Sequence, residues 1–247
     1  SQIAGEKAGI IKSRRPILLG KNPDIVKQVV EQKSVEVDSS YIYVPHKVKI
    51  EDVKPLGTSQ RLRSSIAGQV TDIELPLMGR HQVENFTIVL ATLVEIGFHL
   101  DDTIIQKGLD DMVWQGRMQA LQKEPPVLYD VAHNPEGLTR LLESLSELDR
   151  TDSIIVVAFN ARKSILPMLD LLKTWPGQVI YTVFSGHSAV EEDSLLYLGI
   201  NPDVIEPNLE AAYHRAMELR SNDDQTICFI GSHYLAESLF PMFENAK

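Results

Sequence analysis

The chain has 247 residues, 34 of them acidic and 24 basic, with a net charge of −10 and one cysteine. That length can bury one large or two small cores. The acidic balance argues against general nucleic-acid binding, the lone Cys228 excludes a disulfide framework, and the apolar runs are too short to cross a bilayer. A protein of the reducing cytoplasm with neither membrane nor nucleic-acid partner is therefore expected.

Charge is unevenly spread: residues 1–63 hold 12 Lys and Arg against 7 Asp and Glu, and the remainder holds 12 against 27. The basic end is compatible with a cleft for small anions. Residues 1–12 read as the middle of an element, and Gly5, Gly9 and Lys12 do not have the spacing of a phosphate loop. Residues 16–20 read as a short buried strand. Asn22-Pro23-Asp24 then caps a helix with Ile25, Val26, Val29 and Val30 on its apolar face, which makes a βα unit. From 35 to 78, β-branched and aromatic residues alternate with polar ones over 41–48 and 61–77, which predicts meandering strands around a turn at 55–58. The stretch 79–85 leads into a helix burying Phe86, Val89, Leu90, Leu93 and Val94. Gln82 and Asn85 share a face of it, as two amides must to read one planar polar group. Asp101-Asp102 starts a shorter helix, and the irregular joint at 114–117 sets a domain boundary between residues 113 and 114.

Beyond Arg117 the pattern is regular. Strands at 126–132, 153–159, 178–184, near 204 and at 226–231 alternate with helices at 135–148, 163–174, 189–197, 208–220 and 233–243. This alternation predicts an α/β domain with a Rossmann-like, mostly parallel sheet covered on both faces. No G-x-G-x-x-G occurs, which weakens a dinucleotide reading, and no histidine or cysteine spacing suits structural zinc. The most informative stretch is Val127-Leu128-Tyr129-Asp130-Val131-Ala132-His133-Asn134-Pro135. Asn134 is a good helix cap, Pro135 suits the first helical position, and Leu138, Leu141, Leu142, Leu145 and Leu148 give the helix one apolar face. Asp130 and His133 then lie at the carboxyl end of a strand beside a helix N-terminus, where open α/β sheets bind ligands. From these residues alone, two readings remain equally open: a ligand site, or a turn that Asp130 merely caps while His133 merely satisfies a loop carbonyl. The strand ends at Asp130, Asn160 and Gly231-Ser232 are expected at one crevice, with Ser232 sharing a site with His133.

Five stretches together resemble the folylpolyglutamate synthase/dihydrofolate synthase branch of the Mur-type ligases. They are Ile3-Ala4-Gly5-Glu6-Lys7-Ala8-Gly9-Ile10-Ile11-Lys12, His81-Gln82-Val83-Glu84-Asn85, Gly116-Arg117-Met118-Gln119, Asp130-Val131-Ala132-His133-Asn134-Pro135 and Gly231-Ser232-His233-Tyr234-Leu235. The resemblance spans nearly the whole chain. It implies the carboxy-terminal part of a ligase: residues 1–113 as part of a central ATPase domain lacking its phosphate-loop half, and 114–247 as the Rossmann-like ligase domain.

The implied reaction is ATP- and Mg²⁺-dependent addition of L-glutamate to folate or dihydropteroate through an acyl phosphate, by a monomer, with this stretch inactive alone. Lys7 would be carbamylated and hold Mg²⁺; carbamylation turns an ammonium into a hard oxygen ligand suited to that ion. Asn85 would contact adenine, Arg117 and Asp130 the phosphates and ribose, and His133 and Ser232 the incoming glutamate. The residues Phe159-Asn160-Ala161-Arg162-Lys163-Ser164, and Glu136 after the Asn-Pro pair, depart from the family pattern. Two other readings share these features: a non-catalytic nucleotide or amino-acid binding relative, and a Mur-type ligase for a cell-wall precursor.

Overall fold

The computed structural model of the chain describes residues 2–56, 58–112, 114–160, 165–184 and 189–244. Two compact units emerge: Ser1–Pro76 with Arg80–Met112, and Leu77–Gly79 with Val113–Lys247. No described helix is long and apolar enough to cross a membrane.

In the first unit, α1 (Gln2–Ala8) is followed by β1 (Ile17–Leu19), α2 (Asp24–Glu36) and β2 (Tyr41–Tyr43). β2 pairs in parallel with β1, closing the βαβ step, so residues 41–43 do not join the meander the sequence suggested. Alternation over so short a run cannot distinguish these pairings, because the partner lies across a helix. Ala8 and Ile11 pack with Val30 of α2, while Ile25 is half exposed and off the buried face. Pro23, not Asn22, occupies the N-cap of α2, with no side-chain capping bond.

A 3-10 turn leads to the antiparallel sheet β3 (Val48–Pro55), β4 (Gln60–Ile66) and β5 (Gln69–Leu75). The 61–77 run is thus two strands. They are joined by the two residues Ala67 and Gly68, both at positive φ (51° and 81°), as a tight hairpin twisted like its strands requires. β4 and β5 alternate buried and exposed positions, so one face is covered and the other wet.

Helix α3 (Arg80–Glu95) buries Val83, Phe86, Leu90 and Ala91, whereas Val89 is half exposed. Helix α4 (Asp102–Asp110) starts at Asp101, whose carboxylate accepts from the amides of Thr103 and Ile104. α4 also shields the outer edge of β5: Asp102 and Gln106 accept from the backbone N–H groups of Asp72 and Glu74, and Gln106 donates back to the Glu74 carbonyl.

The second unit is one six-stranded sheet. It comprises β6 (Gln119–Gln122), β7 (Val127–Asp130), β8 (Ile154–Val157), β9 (Val179–Thr182), β10 (Ile205–Glu206) and β11 (Ile227–Ile230), in the order β10-β9-β8-β11-β7-β6. Only β6 runs antiparallel. The helices are α5 (Pro135–Glu147), α6 (Leu166–Lys173), α7 (Glu192–Tyr197), α8 (Leu209–Leu219) and α9 (Leu235–Glu244).

β7, β8 and β11 are buried at every position, because both faces are covered. On one face Leu128, Ile155, Val157 and Ile230 meet Leu138, Leu141 and Leu145 of α5 and the apolar side of α6. On the other, Val127, Tyr129, Val156 and Phe229 meet α8 and α9. Cys228 is buried in β11, where burial pushes its thiol well above the ordinary range and leaves it inert. The strand expected near Val204 is the short β10 just after it, and residues 163 and 164 of the helix expected at 163–174, with Ala161 and Arg162, lie outside the described residues.

Candidate functional site

β11 lies between β7 and β8 and runs parallel to both, so the carboxyl ends of these three strands share one edge of the sheet. Asp130 ends β7 there. Its carboxylate is buried and takes two backbone donors: Met118 N–H to Oδ2 at 2.9 Å and Ala132 N–H to Oδ1 at 2.8 Å. Burial nevertheless wins, and the Asp130 pKa is pushed up from 3.8 to about 6. The two amides, Arg117 and His133 pull it back only in part.

The turn that delivers Met118 is laced to the strand end. Val131 N–H donates to the Gly116 carbonyl at 2.9 Å, and Gly116 N–H donates to Gln119 Oε1 at 2.9 Å. Gly116 sits at φ 70° and Met118 at φ 45°. A Cβ on Gly116 would run into Val131 Cγ1 and the Tyr129 ring, so only glycine fits this close approach. Between these two left-handed residues the chain presents Arg117 outward, exposed, while Met118 is buried beneath it.

Past Ala132 the half-buried His133 points Nδ1 at the Val131 carbonyl, 2.9 Å away. A carbonyl can only accept, so Nδ1 carries the hydrogen and the neutral ring keeps its lone pair on Nε2. Asn134 caps α5 through Oδ1, accepting from Gly137 N–H at 2.8 Å. At the neighbouring strand end, Gly231 turns the chain at φ 119°, where a Cβ would strike the Ala158 carbonyl. Ser232 follows, buried, with Oγ accepting from Tyr234 N–H at 3.2 Å. Tyr129 fixes this turn from β7, its hydroxyl donating to the carbonyls of Ser232 (2.9 Å) and His233 (3.2 Å). Burial pushes that phenol up to about 12, so it remains a donor.

Of the residues singled out by sequence, Arg117, Asp130, His133 and Ser232 therefore all belong to the second unit, at the turn before β6 and the ends of β7 and β11. Lys7 and Asn85 lie in the first. Lys7 is exposed near the end of α1, and Asn85 is exposed on α3, its Nδ2 donating to Oε1 of the buried Gln82 at 3.2 Å. The two amides thus address each other as well as sharing a face. Among the described residues, no group of three or more His, Cys, Asp or Glu is gathered to hold a metal.

Residues 116–233 match the family model described as Mur ligase, glutamate ligase domain, a span that runs from the Gly116 turn to the Ser232 turn. The folylpolyglutamate synthase of Lacticaseibacillus casei is 27% identical over 244 residues, covering 96% of this chain and 56% of that protein. The dihydrofolate synthase/folylpolyglutamate synthase of Bacillus subtilis is 30% identical over 178 residues, covering 70% and 41%. Among solved structures, Mycobacterium tuberculosis folylpolyglutamate synthase complexed with ADP and AMPPCP superposes with a TM-score of 0.86 at 28% identity, covering 98% of this chain and 59% of that one. The chain belongs to the folylpolyglutamate/dihydrofolate synthase family of Mur-type ligases. It spans about half the length of the curated relatives it matches.

Within the family domain, three contributors stand in the quoted motifs but were given no role by the sequence reading: Gln119, Tyr129 and His233. Gln119 and Tyr129 act on backbone groups, which no side-chain spacing announces. His233 shows only through the pairing of its ring with that of His133, centroid to centroid 5.7 Å.

Proposed function

We propose that the protein carrying this chain ligates L-glutamate to folate or dihydropteroate, using ATP to form an acyl phosphate that the glutamate amine then attacks. The observation that carries the reading is the lacing of Asp130 between Met118 and Ala132, inside the matched ligase segment, which holds Arg117 and His133 out at one strand edge. Arg117 offers a planar fork of donors suited to phosphate oxygens, a use that needs the exposure it has. Asp130 keeps one further acceptor position on each oxygen for a ribose hydroxyl. Asn85 supplies the amide for adenine, and His133 with Ser232 the polar contacts for glutamate.

Phosphoryl transfer of this kind depends on positioning and charge neutralisation rather than on covalent help from the protein. Mg²⁺ would neutralise phosphate charge, and Lys7 as a carbamate would offer it a hard oxygen ligand. Such an ion commonly takes one or two protein carboxylates, with phosphate oxygens and water completing its octahedron, so a carbamylated Lys7 would be a sufficient protein ligand.

The 247 residues contain no glycine-rich phosphate loop, so the chain by itself is expected to sustain no turnover. The test is mass-detected glutamate addition with ATP, Mg²⁺ and either acceptor. A full-length protein that ligates neither acceptor sinks the ligase reading, and sustained ligation by the 247-residue chain sinks the expectation that it is inactive alone.

A further inference from the structure

We propose that His233 pairs with His133 as a two-imidazole receiver for the amine of the incoming amino acid, with His233 taking the proton that the ammonium must shed before it attacks. This rests on the ligase reading above and assigns the proton transfer which that reading leaves open.

The geometry begins with the tautomer of His133. Its Nδ1–H is committed to the Val131 carbonyl, so Nε2 is left as an acceptor. The His233 ring lies 5.7 Å away, centroid to centroid, with the planes inclined at 48°. An ammonium donating to two acceptors needs each within about 3 Å, which this separation of ring centres permits. The partner ring is not on a loose loop: the Tyr129 hydroxyl and Ala236 N–H both donate to the His233 carbonyl, at 3.2 and 3.3 Å.

The charged groups facing the pair are the Arg117 guanidinium, from the turn before β6, and the Asp130 carboxylate at the end of β7. His233 is exposed as a residue, but partial desolvation of its ring first, then His133 and Arg117, hold its pKa below that of a free histidine. His233 is consequently neutral at physiological pH, which is the state a base requires. In the step, an N–H bond of the ammonium breaks and its proton goes to the unprotonated ring nitrogen of His233. The freed lone pair forms the C–N bond at the acyl carbon, the C–O bond to phosphate breaks, and phosphate leaves with that electron pair and takes up the second N–H proton, so the product is the neutral amide.

Hydroxylamine provides the test, because it is largely uncharged near neutral pH and captures acyl phosphates without needing a base. Positioned bases typically contribute 10²–10⁴-fold, so His233→Gln in the full-length ligase should slow glutamate addition about 100-fold. The same variant should keep the wild-type yield of hydroxamate. Equal loss of both products, or undiminished glutamate addition, overturns the assignment. A wild-type enzyme giving neither product refutes the ligase reading itself, and this inference falls with it. On the 247-residue chain, histidine NMR should show His233 titrating below free histidine and moving upward in His133→Gln, which removes a like-charge neighbour. A His233 titration that His133→Gln leaves unmoved breaks the pairing and overturns the proposal.

Discussion

Replacing Asp130 with Asn tests the electrostatics of the strand edge with little change of shape. The Asp130 pKa rises from 3.8 to about 6 on folding. At about 1.4 kcal/mol per unit, that is about 3 kcal/mol of linkage. Because the folded value exceeds the unfolded one, the folded chain binds the proton more tightly. The associated stability is complete below about pH 4 and is lost as pH climbs through about 6. Asn does not titrate. Its stability relative to wild type should therefore improve by about 3 kcal/mol between pH 4 and 7, on top of a roughly constant offset from an amide N–H facing one of the two backbone donors. Urea unfolding followed by tryptophan fluorescence suits the measurement, because Trp114 and Trp175 both belong to the second unit and report it alone. A difference that stays flat with pH, or moves in favour of wild type as pH rises, would show that the amides of Met118 and Ala132 outweigh burial, and would refute the reasoning.

Gly116→Ala should destabilise the same unit by more than the roughly 1–2 kcal/mol of a left-handed alanine, since its Cβ also meets Val131; an unchanged urea midpoint would count against the tight approach. Asn134→Ala removes the α5 cap and should cost about 1 kcal/mol in the same assay, with Asn134→Ser recovering most of it. Arg117→Ala, at an exposed position, should stay within about 0.5 kcal/mol of wild-type stability while nucleotide affinity in the full-length enzyme, read by calorimetry, falls clearly. Equal affinity in that variant would remove Arg117 from the phosphate site.

What the sequence revealed was local chemistry. The Asn134 cap, the Pro135 start and the leucine spacing of α5 all act within four residues, and each is found in place. The mostly parallel sheet followed from repeated βα spacing. Pairing between distant segments was less legible: β2 reads like a meander strand but joins β1, and the Ala67-Gly68 hairpin lacks the Asn-Gly pair that advertises such turns. At the site, Asp130 was recognisable as an ionisable strand end. That it caps a turn was one of the two readings left open; that its second oxygen reaches the distant Met118 amide was not legible, because amides leave no trace in residue identity. His233 was quoted within a motif yet given no role, since only folding sets its ring beside His133.

The lacing of Asp130 also changes how its contribution should be understood. One carboxylate oxygen fixes Met118, the residue after Arg117, and the other fixes Ala132, the residue before His133. A buried carboxylate that weakens the fold at neutral pH, set between the exposed Arg117 and the half-buried His133, is strain of the kind functional sites hold. Asp130→Ala would therefore remove both anchors and leave two amides without this acceptor, so lost ATP use in that variant would confound position with contact. Asp130→Asn separates them. It keeps the shape and one acceptor, so Arg117 and His133 stay near their places while the negative charge disappears. If ligation survives in Asn but not in Ala, Asp130 works by holding its neighbours; if both fail while the fold persists, the charge itself meets the nucleotide.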